Sequence, residues 1–332
     1  MLPIFDIKTR EPISMTAVVP NIHSVRELAE RYNTWGKWGA DDQLGALNHV
    51  TPEKVRVSAS LVRRGRVFSL ALPLDETGPQ TGSFGRYNPL HHMLWDGGDI
   101  VAGAQDHIQE VRYTDDAAYI VLQSSTQWDA LAHIFHDGKM YNGLGPEHVT
   151  SRGAAKNGII NTRDRMVGRG VLLDIARWKG KPWLEPGEAI QDTDLEACAR
   201  AQGVEVGEGD FVLVRTGQIA ERRHLGSWGD YAAGPAPGLG ISSADFFCPR
   251  DVAAVITDTW GAEVLPNETP DVFQPLHIIL IVNAGILLGE IWDLEELADD
   301  CAEDGVYEFQ LVAPPLTITG AVGSPVNPQA IK

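Results

Sequence analysis

The sequence is poor in cysteine and has no long apolar run. Its 332 residues include three widely separated cysteines, Cys198, Cys248 and Cys301. Because an odd, scattered set forms neither a disulfide framework nor a zinc-binding pattern, we expect the chain to work in a reducing cytoplasm. No apolar stretch reaches the roughly 18 residues that a membrane span requires, and the first residues lack the layout of a signal peptide. We therefore expect no membrane partner.

Positive charge is also scarce. The chain carries 27 lysines and arginines against 45 aspartates and glutamates, which gives a net charge of −18. A field of that sign repels nucleic acid, so we expect no nucleic-acid partner. The 43% hydrophobic content is enough for a sizeable core. Since the chain has no internal repeat and no linker, we predict a single domain over residues 1–332, with an N-terminal arm at about residues 1–34.

Several stretches carry clear signals of secondary structure. Thr51 and Pro52 predict a helix start, because a hydroxyl caps the first turn and proline suits the first helical position. The apolar run at 277–288 fits either a strand or a buried helix. Other apolar runs predict four buried strands, at residues 117–122, 169–174, 209–217 and 252–258.

The densest group of acid, base and metal-ligand side chains lies at residues 123–136. In it, Gln123, Gln127, Asp129 and His133 fall at even spacings. A helix would point Gln123 and Asp129 to nearly opposite sides. An extended segment puts all four on one face, but a straight strand separates its ends by roughly 33 Å. The four therefore meet only if the segment runs extended and then turns. The residue types alone fit equally well a polar loop with His133 in the core.

This stretch resembles the His-x-Gly-Thr-His-x-Asp-x-Pro-x-His motif of the cyclase-like hydrolases. That family includes kynurenine formamidase, isatin hydrolase and trans-dienelactone hydrolase. The motif residues that stand unchanged are Thr126, Asp129 and His133. The glycine and proline of the motif are replaced by Ser125 and Leu131. The two leading histidines are replaced by Gln123 and Gln127, and glutamine also occurs in the group that contains trans-dienelactone hydrolase.

Further stretches resemble the same family, in the same order, over nearly the whole chain. They are residues 170–174, 209–217, 237–239 and 257–259, His277 with Glu290, and residues 323–325. The resemblance implies an α/β fold, a compact single domain of packed β-sheets with helices, of the swivelling β/β/α type. It also implies a homo-oligomer, because members of the family are commonly oligomers.

The resemblance implies a centre for a divalent metal ion, Mn or Zn, formed by Gln123, Gln127, Asp129, His133, His277 and Glu290. In relatives with two ions, the residue that matches Asp129 bridges them, and the leading histidines belong mainly to one ion. An amide oxygen is a weaker, neutral ligand. We therefore hypothesise that the second ion is absent here and that the other site favours Mn²⁺. Alternatively, the two glutamines only orient Asp129.

Aromatic and histidine side chains near this stretch are candidates for substrate binding. A flat apolar wall suits a planar ring, and we interpret Trp128 as such a wall. The other aromatic candidates fit a core position equally well, namely Trp95, Trp260 and Phe84. His91 and His92 lie in a long loop at residues 75–106, where one of them can hydrogen-bond a substrate carbonyl or carboxylate.

Together these features predict a metal-dependent hydrolase with a small-molecule substrate. Water on the metal would attack an ester or amide carbonyl, with Asp129 as the essential ligand and His133, where it is not a ligand, as the proton acceptor. Glutamine in the motif favours the opening of a lactone, as in trans-dienelactone hydrolase. The alternative is an amidase that acts on a formamide or a cyclic amide. An alternative of another class is a catalytically silent binder of small molecules, because both leading histidines are missing.

Overall fold

The computed structural model describes residues 19–332, so residues 1–18 of the expected N-terminal arm lie outside the described residues. The arm's later part contains helix α1, Ile22–Arg31. This helix buries Val25 and Ala29 and packs against the segment Ile278–Ala284. Residues 22–31 are therefore part of the packed body of the protein.

Helices connect and cover the strands. The second helix begins as predicted, because the Thr51 side chain accepts a hydrogen bond from the Lys54 N–H at 3.3 Å and Pro52 is the first helical residue. No helix within residues 19–332 is long and apolar enough to cross a membrane. After α1 the α-helices are α2 (Pro52–Ala59), α3 (Gly97–Val101), α4 (Ile175–Trp178), α5 (Asp192–Gln202), α6 (Gln218–Leu225), α7 (Ala244–Phe247), α8 (Pro275–His277) and α9 (Glu295–Asp304).

The strands in chain order are β1 (Val67–Ser69), β2 (Leu90–Trp95), β3 (Asp115–Tyr119), β4 (Gln127–Asp129), β5 (Val149–Thr150), β6 (Gly153–Ala154), β7 (Val167–Asp174), β8 (Ala189–Ile190), β9 (Phe211–Arg215), β10 (Gly238–Leu239), β11 (Ala254–Thr257), β12 (Leu287–Glu290), β13 (Glu308–Val312), β14 (Gly323–Pro325) and β15 (Gln329–Ile331). Nine of them form one mixed sheet in the order β1-β15-β13-β7-β9-β11-β12-β4-β14. Its central strands β7, β9, β11 and β12 run parallel, and antiparallel strands flank them on both sides.

Three of the parallel strands at the centre of this sheet, β9, β11 and β12, are buried along their whole length. The strands predicted at 209–217 and 252–258 are confirmed as β9 and β11, in which every residue is buried. Parallel strands are covered on both faces, so their sequences are continuously apolar, which is the signal that identified them. The α/β class predicted from the sequence is confirmed.

The prediction of a buried strand at residues 117–122 is wrong. Strand β3 covers Asp115–Tyr119 instead, pairs with β2 and is exposed along most of its length. The two strands form a hairpin whose exposed apolar side chains include Leu90, Met93, Leu94 and Tyr119. The apolar sequence did not predict burial correctly here, because no second layer from residues 19–332 covers the hairpin.

The apolar run at 277–288 is both helix and strand. Helix α8 ends at His277, a buried π-helix follows at Ile278–Ala284, and β12 begins at Leu287. The π-helix is a rare conformation that often occurs at functional sites. Here it forms the connection between His277 and the end of β12, so that the two ends of the run return to one place.

Thr126 connects three separate segments at the start of β4. Its hydroxyl donates a hydrogen bond to the Ile291 carbonyl at 2.6 Å and accepts one from the Leu72 N–H at 2.9 Å. All of these groups are buried, so the hydroxyl is the partner of two backbone groups that water does not reach.

We predict that Thr126→Val lowers the free energy of unfolding by about 1–3 kcal/mol, because it keeps the shape of the side chain and leaves two buried polar groups without a partner. Urea denaturation measures the change. The matched control is Thr150→Val, at an exposed threonine, which we expect to change the same quantity by less than about 0.5 kcal/mol. Equal stability of the two variants would contradict the role of Thr126.

Candidate metal centre

Strand β4 presents Gln127 and Asp129 on one face and Trp128 on the other, because side chains alternate along a strand. Trp128 is fully buried in the core, with its ring centroid 4.9 Å from that of Trp292. Its indole N–H donates to the Ala313 carbonyl at 2.9 Å. The interpretation of Trp128 as a pocket wall is therefore corrected: the alternation that brings Gln127 and Asp129 to one face places Trp128 on the core side.

The segment around β4 has the extended-then-turned form that the even spacings require. After β4 the chain turns, and the His133 N–H donates to the Ala130 carbonyl at 2.9 Å. The turn brings the His133 Nε2 atom to 3.7 Å from the Asp129 Oδ1 atom. The Asp129 side chain is 1% exposed and that of His133 is 19% exposed, so the histidine forms the outer side of the pair.

The second half of the site comes from the run that follows α8. Strand β12 pairs antiparallel with β4, and Glu290 lies directly opposite Gln127. His277 reaches the same point, with its Nε2 atom 3.2 Å from the Glu290 Oε1 atom. One ligand atom each from Asp129, His277 and Glu290 lies within 4.8 Å of the other two, and all three residues are buried. Three predicted ligands from distant parts of the sequence are thus brought together.

The charges of this cluster fit a bound cation. The buried Asp129 Oδ1 atom has no hydrogen-bond partner within residues 19–332. Burial, followed by the charge of Asp129, raises the pKa of Glu290 to about 7. Two buried carboxyl groups and an imidazole, with one oxygen left without a partner, form a donor set that suits Mn²⁺ or Zn²⁺.

Glu263 supports His277 and is a functional residue that the sequence reasoning missed. Its Oε1 atom accepts hydrogen bonds from the His277 Nδ1 atom at 2.6 Å and from the His277 backbone N–H at 2.8 Å. Burial alone would lower the pKa of His277, but the hydrogen bonds to Glu263 and Glu290 raise it to about 10. A histidine that binds metal commonly donates its second ring N–H to a carboxylate, and that rule was the only signal that pointed to such a residue.

The two glutamines differ in what they contact. The Gln127 amide nitrogen donates to the Glu290 Oε2 atom at 2.9 Å, so this side chain orients one of the cluster's carboxylates. The Gln127 Oε1 atom is buried and has no partner within residues 19–332. Gln123 makes no hydrogen bond to the cluster in the same part of the chain, and its buried Nε2 atom also lacks a partner. Gln127 thus has the orienting role through its nitrogen and keeps its oxygen available as a ligand.

Two of the predicted substrate-binding residues lie together in one apolar pocket. Phe84 and Trp260 have ring centroids 5.6 Å apart, and Phe273 stacks on Phe84 at 6.0 Å. They line an apolar pocket of about 260 Å³. Trp260 belongs to the same buried cluster as Ile291, the residue that follows Glu290. A wider cleft of about 520 Å³ near α5 contains none of the predicted site residues.

The other predicted substrate-binding residues, His91, His92 and Trp95, lie on β2 of the exposed hairpin. The His91 Nε2 atom is hydrogen-bonded to the Asp116 Oδ2 atom at 2.8 Å across the hairpin. Within residues 19–332, none of the three is hydrogen-bonded to the metal cluster. Their role in substrate binding therefore stays a prediction.

We predict that Asp129→Asn abolishes the binding of Mn²⁺ and Zn²⁺, because it removes a buried charge and keeps the shape of the side chain. Elemental analysis after dialysis against metal measures the loss. Asp116→Asn on the exposed hairpin is the matched control and should keep the metal content of the wild type. A full metal complement in Asp129→Asn would remove Asp129 from the ligands.

In the same measurement, Glu263→Gln should weaken metal binding by roughly 10–100-fold rather than abolish it, the range found for residues that support a metal ligand. The reason is that glutamine keeps a hydrogen-bond acceptor for the His277 ring and loses the charge. An affinity equal to that of the wild type would show that Glu263 does not support His277.

Comparisons with known proteins identify the family and the fold. The model of the putative cyclase family matches residues 43–264. A crystal structure described as a novel cyclase is 40% identical, covers 91% of this chain and 100% of its own, and has a TM-score of 0.84. Isatin hydrolase A from Labrenzia aggregata is 19% identical over 82% of this chain and 95% of its own, with a TM-score of 0.57. Isatin hydrolase A from Ralstonia solanacearum is 18% identical over 84% and 97%, with a TM-score of 0.56. At that identity the last two share the fold alone, and no curated protein matches the chain.

Proposed function

Because the chain belongs to the putative cyclase family, we propose that it is a metal-dependent hydrolase of a small carbonyl compound. The observation that carries this proposal is the buried cluster of Asp129, His277 and Glu290, with the partly exposed His133 at its edge. An apolar pocket is connected to it through Trp260, which packs in one buried cluster with Ile291, the residue after Glu290. The isatin hydrolases, which share the fold, support hydrolysis as the reaction type.

In this proposal Asp129, His277 and Glu290 hold the divalent cation. A cation bound there lowers the pKa of water towards about 7 and polarises a carbonyl oxygen. Glu263 holds the Nδ1 side of the His277 ring, so that the Nε2 side faces the cluster. Gln127 holds Glu290 in place through a hydrogen bond of 2.9 Å. These contacts fix the ligands before any substrate binds, which keeps the geometry needed for attack on a carbonyl.

His133 is the proton acceptor in this proposal. Burial lowers the pKa of His133 below its ordinary value, so the imidazole is neutral near pH 7 and accepts a proton. It lies on the outer side of Asp129, with 19% of its side chain exposed, where a substrate reaches it. The cluster of closely spaced ligand atoms is complete without His133, which favours the catalytic role over a role as a ligand.

The bond that is cleaved has two candidates, each with its own support. A lactone is favoured by Gln123 and Gln127, since glutamine in the motif resembles the group that contains trans-dienelactone hydrolase. A formamide or cyclic amide is favoured by the fold shared with the isatin hydrolases. We place the lactone first, because its support comes from residues at the site itself.

A substrate screen with the Mn²⁺- or Zn²⁺-loaded protein tests the function. We expect turnover within a panel of small lactones, esters, formamides and cyclic amides, and the bond type follows from which compounds react. In His133→Gln we expect kcat to fall by roughly 10²–10⁴-fold, the usual contribution of a general base, with the metal content unchanged. Loss of metal in this variant would instead make His133 a ligand. A metal-loaded protein that hydrolyses nothing in the panel would favour the silent binder.

We also propose that the chain forms a homo-oligomer in which a second copy covers the hairpin of β2 and β3. An isolated two-stranded hairpin is marginally stable in water, and this one exposes Leu90 and Leu94 by 53% and 57%. A native mass above that of one chain, reduced by Leu90→Asp with Leu94→Asp, would support this assembly. A native mass of one chain for the unaltered protein would exclude it.

A further inference from the structure

Arg86 contacts Trp260, one of the residues that line the apolar pocket, although neither the motif nor the spacing of residues points to it. Its guanidinium carbon is 5.1 Å from the centroid of the Trp260 ring, which it overlies. Trp260 is itself fixed, because its indole N–H donates to the Gln80 Oε1 atom at 3.5 Å. The Gln80 amide nitrogen in turn donates to the Ser124 carbonyl at 2.8 Å, just before β4. Arg86 is thus connected through Trp260 and Gln80 to the segment that carries Asp129.

The guanidinium of Arg86 has no protein partner in the described part of the chain. Two other arginines near the same edge of the sheet are paired: Arg215 binds Asp174 and Glu295, and Arg223 binds Asp293. Within residues 19–332, Arg86 makes neither a side-chain hydrogen bond nor an ion pair, although the chain has 45 acidic residues. A half-buried guanidinium has five donors to satisfy, so one without a carboxylate is available for an anion from outside the chain.

Arg86 is also connected to the segment that carries Glu290. Trp260, whose ring it overlies, packs in one buried cluster with Ile291, and Ile291 directly follows Glu290. Trp260 therefore holds the guanidinium next to the segments that carry Asp129 and Glu290, where it can bind one end of a molecule whose other end lies at the metal centre.

We propose that Arg86 binds a carboxylate of the substrate, so that the substrate class is a cyclic ester or amide that carries a carboxylate on its ring or side chain. This inference rests on the proposed function. The carbonyl that is attacked lies at the metal centre, the ring lies against Phe84 and Trp260, and the carboxylate lies on the guanidinium. Hydrolysis adds water across the carbonyl–oxygen or carbonyl–nitrogen bond and leaves the carboxylate on Arg86 unchanged.

A carboxylate fits this position better than a phosphate does. A single guanidinium matches the two oxygens of a carboxylate in a bidentate pair, whereas a phosphate carries more charge than one arginine neutralises. The residues that line the adjacent pocket are otherwise apolar or small, among them Phe84, Pro235, Leu265 and Phe273. Stacking on Trp260 also fixes the plane of the guanidinium, which favours a planar anion.

The backbone around Phe84 holds its ring against Trp260. Phe84 has a φ of 57°, in the left-handed region that a bulky residue rarely adopts, and Gly82 and Gly85 on either side are also left-handed. Such a conformation costs roughly 1–3 kcal/mol and persists where the surroundings enforce it, commonly at ligand sites. The tight turn places the Phe84 ring on Trp260 and sends Arg86 to the same ring two residues later.

The test compares acid and neutral forms of one substrate. The pair is a lactone or ester that bears a carboxylate and the same compound with a primary carboxamide there. Arg86→Met should lower kcat/KM for the acid by roughly 10–100-fold, the value of a hydrogen-bonded charge pair, and leave the neutral compound within about threefold. Arg86→Lys should restore part of the loss. The control Arg63→Met removes the same charge at an exposed site outside the pocket and should change neither substrate.

A binding experiment separates this inference from the proposed function. The probes are benzoate and benzamide, titrated into the metal-loaded protein by calorimetry, with metal content measured in each variant. We expect benzoate to bind the wild type and Arg63→Met more tightly than it binds Arg86→Met, with benzamide unaffected and metal content equal. This binding result would support the role of Arg86 even if no compound were hydrolysed. In that case only the hydrolase proposal would be contradicted. Equal benzoate affinity in the wild type and Arg86→Met, or equal loss of kcat/KM for acid and neutral substrates, would overturn the role of Arg86.

Discussion

The site depends on the burial of negative charge where β4 meets β12. Asp129, Glu290 and Glu263 are all buried there around one imidazole, that of His277. Removing a carboxylate from water costs several kcal/mol unless a positive charge or hydrogen bonds compensate it. The His277 ring is hydrogen-bonded to Glu263 and Glu290, and the Asp129 Oδ1 atom is left with no partner within residues 19–332. A divalent cation completes this balance, so its binding also stabilises the folded chain.

At the same edge of the sheet, another buried carboxylate is paired with an arginine of the protein. Asp174 and Arg215 end the neighbouring parallel strands β7 and β9, and the Arg215 Nη1 atom donates to the Asp174 Oδ1 atom at 2.8 Å. Glu295 accepts hydrogen bonds from the Nε and Nη2 atoms of the same guanidinium, so the charge of Arg215 is neutralised inside the protein. Within residues 19–332, no arginine or lysine forms an ion pair with Asp129, His277 or Glu290. Along this edge, the acidic side chains that bind Arg215 are neutralised inside the protein, whereas those of the metal cluster are not.

The sequence predicted the parts of this molecule that follow from local periodicity. Buried parallel strands such as β9 and β11 are continuously apolar, and the even spacing of Gln127 and Asp129 correctly predicted a shared face. The same period-two rule places Trp128 on the opposite face, so its assignment to the pocket was an error of interpretation. Glu263 and Arg86 were missed because each acts through a neighbour, His277 or Trp260, that is distant in sequence. The exposed hairpin was missed because apolar composition does not tell which molecule covers a strand.

The charge of the whole chain and the charge of the pocket have opposite consequences for an anionic substrate. A net charge of −18 repels a carboxylate over the distance at which salt does not screen it, roughly 10 Å at moderate ionic strength. Inside that distance, the guanidinium of Arg86 and a cation held by Asp129, His277 and Glu290 dominate the local field. A substrate therefore gains nothing from long-range attraction and is selected by contacts made within the pocket. Such a site discriminates between molecules by the spacing of carboxylate, ring and carbonyl, since only the correct spacing reaches both positive charges at once.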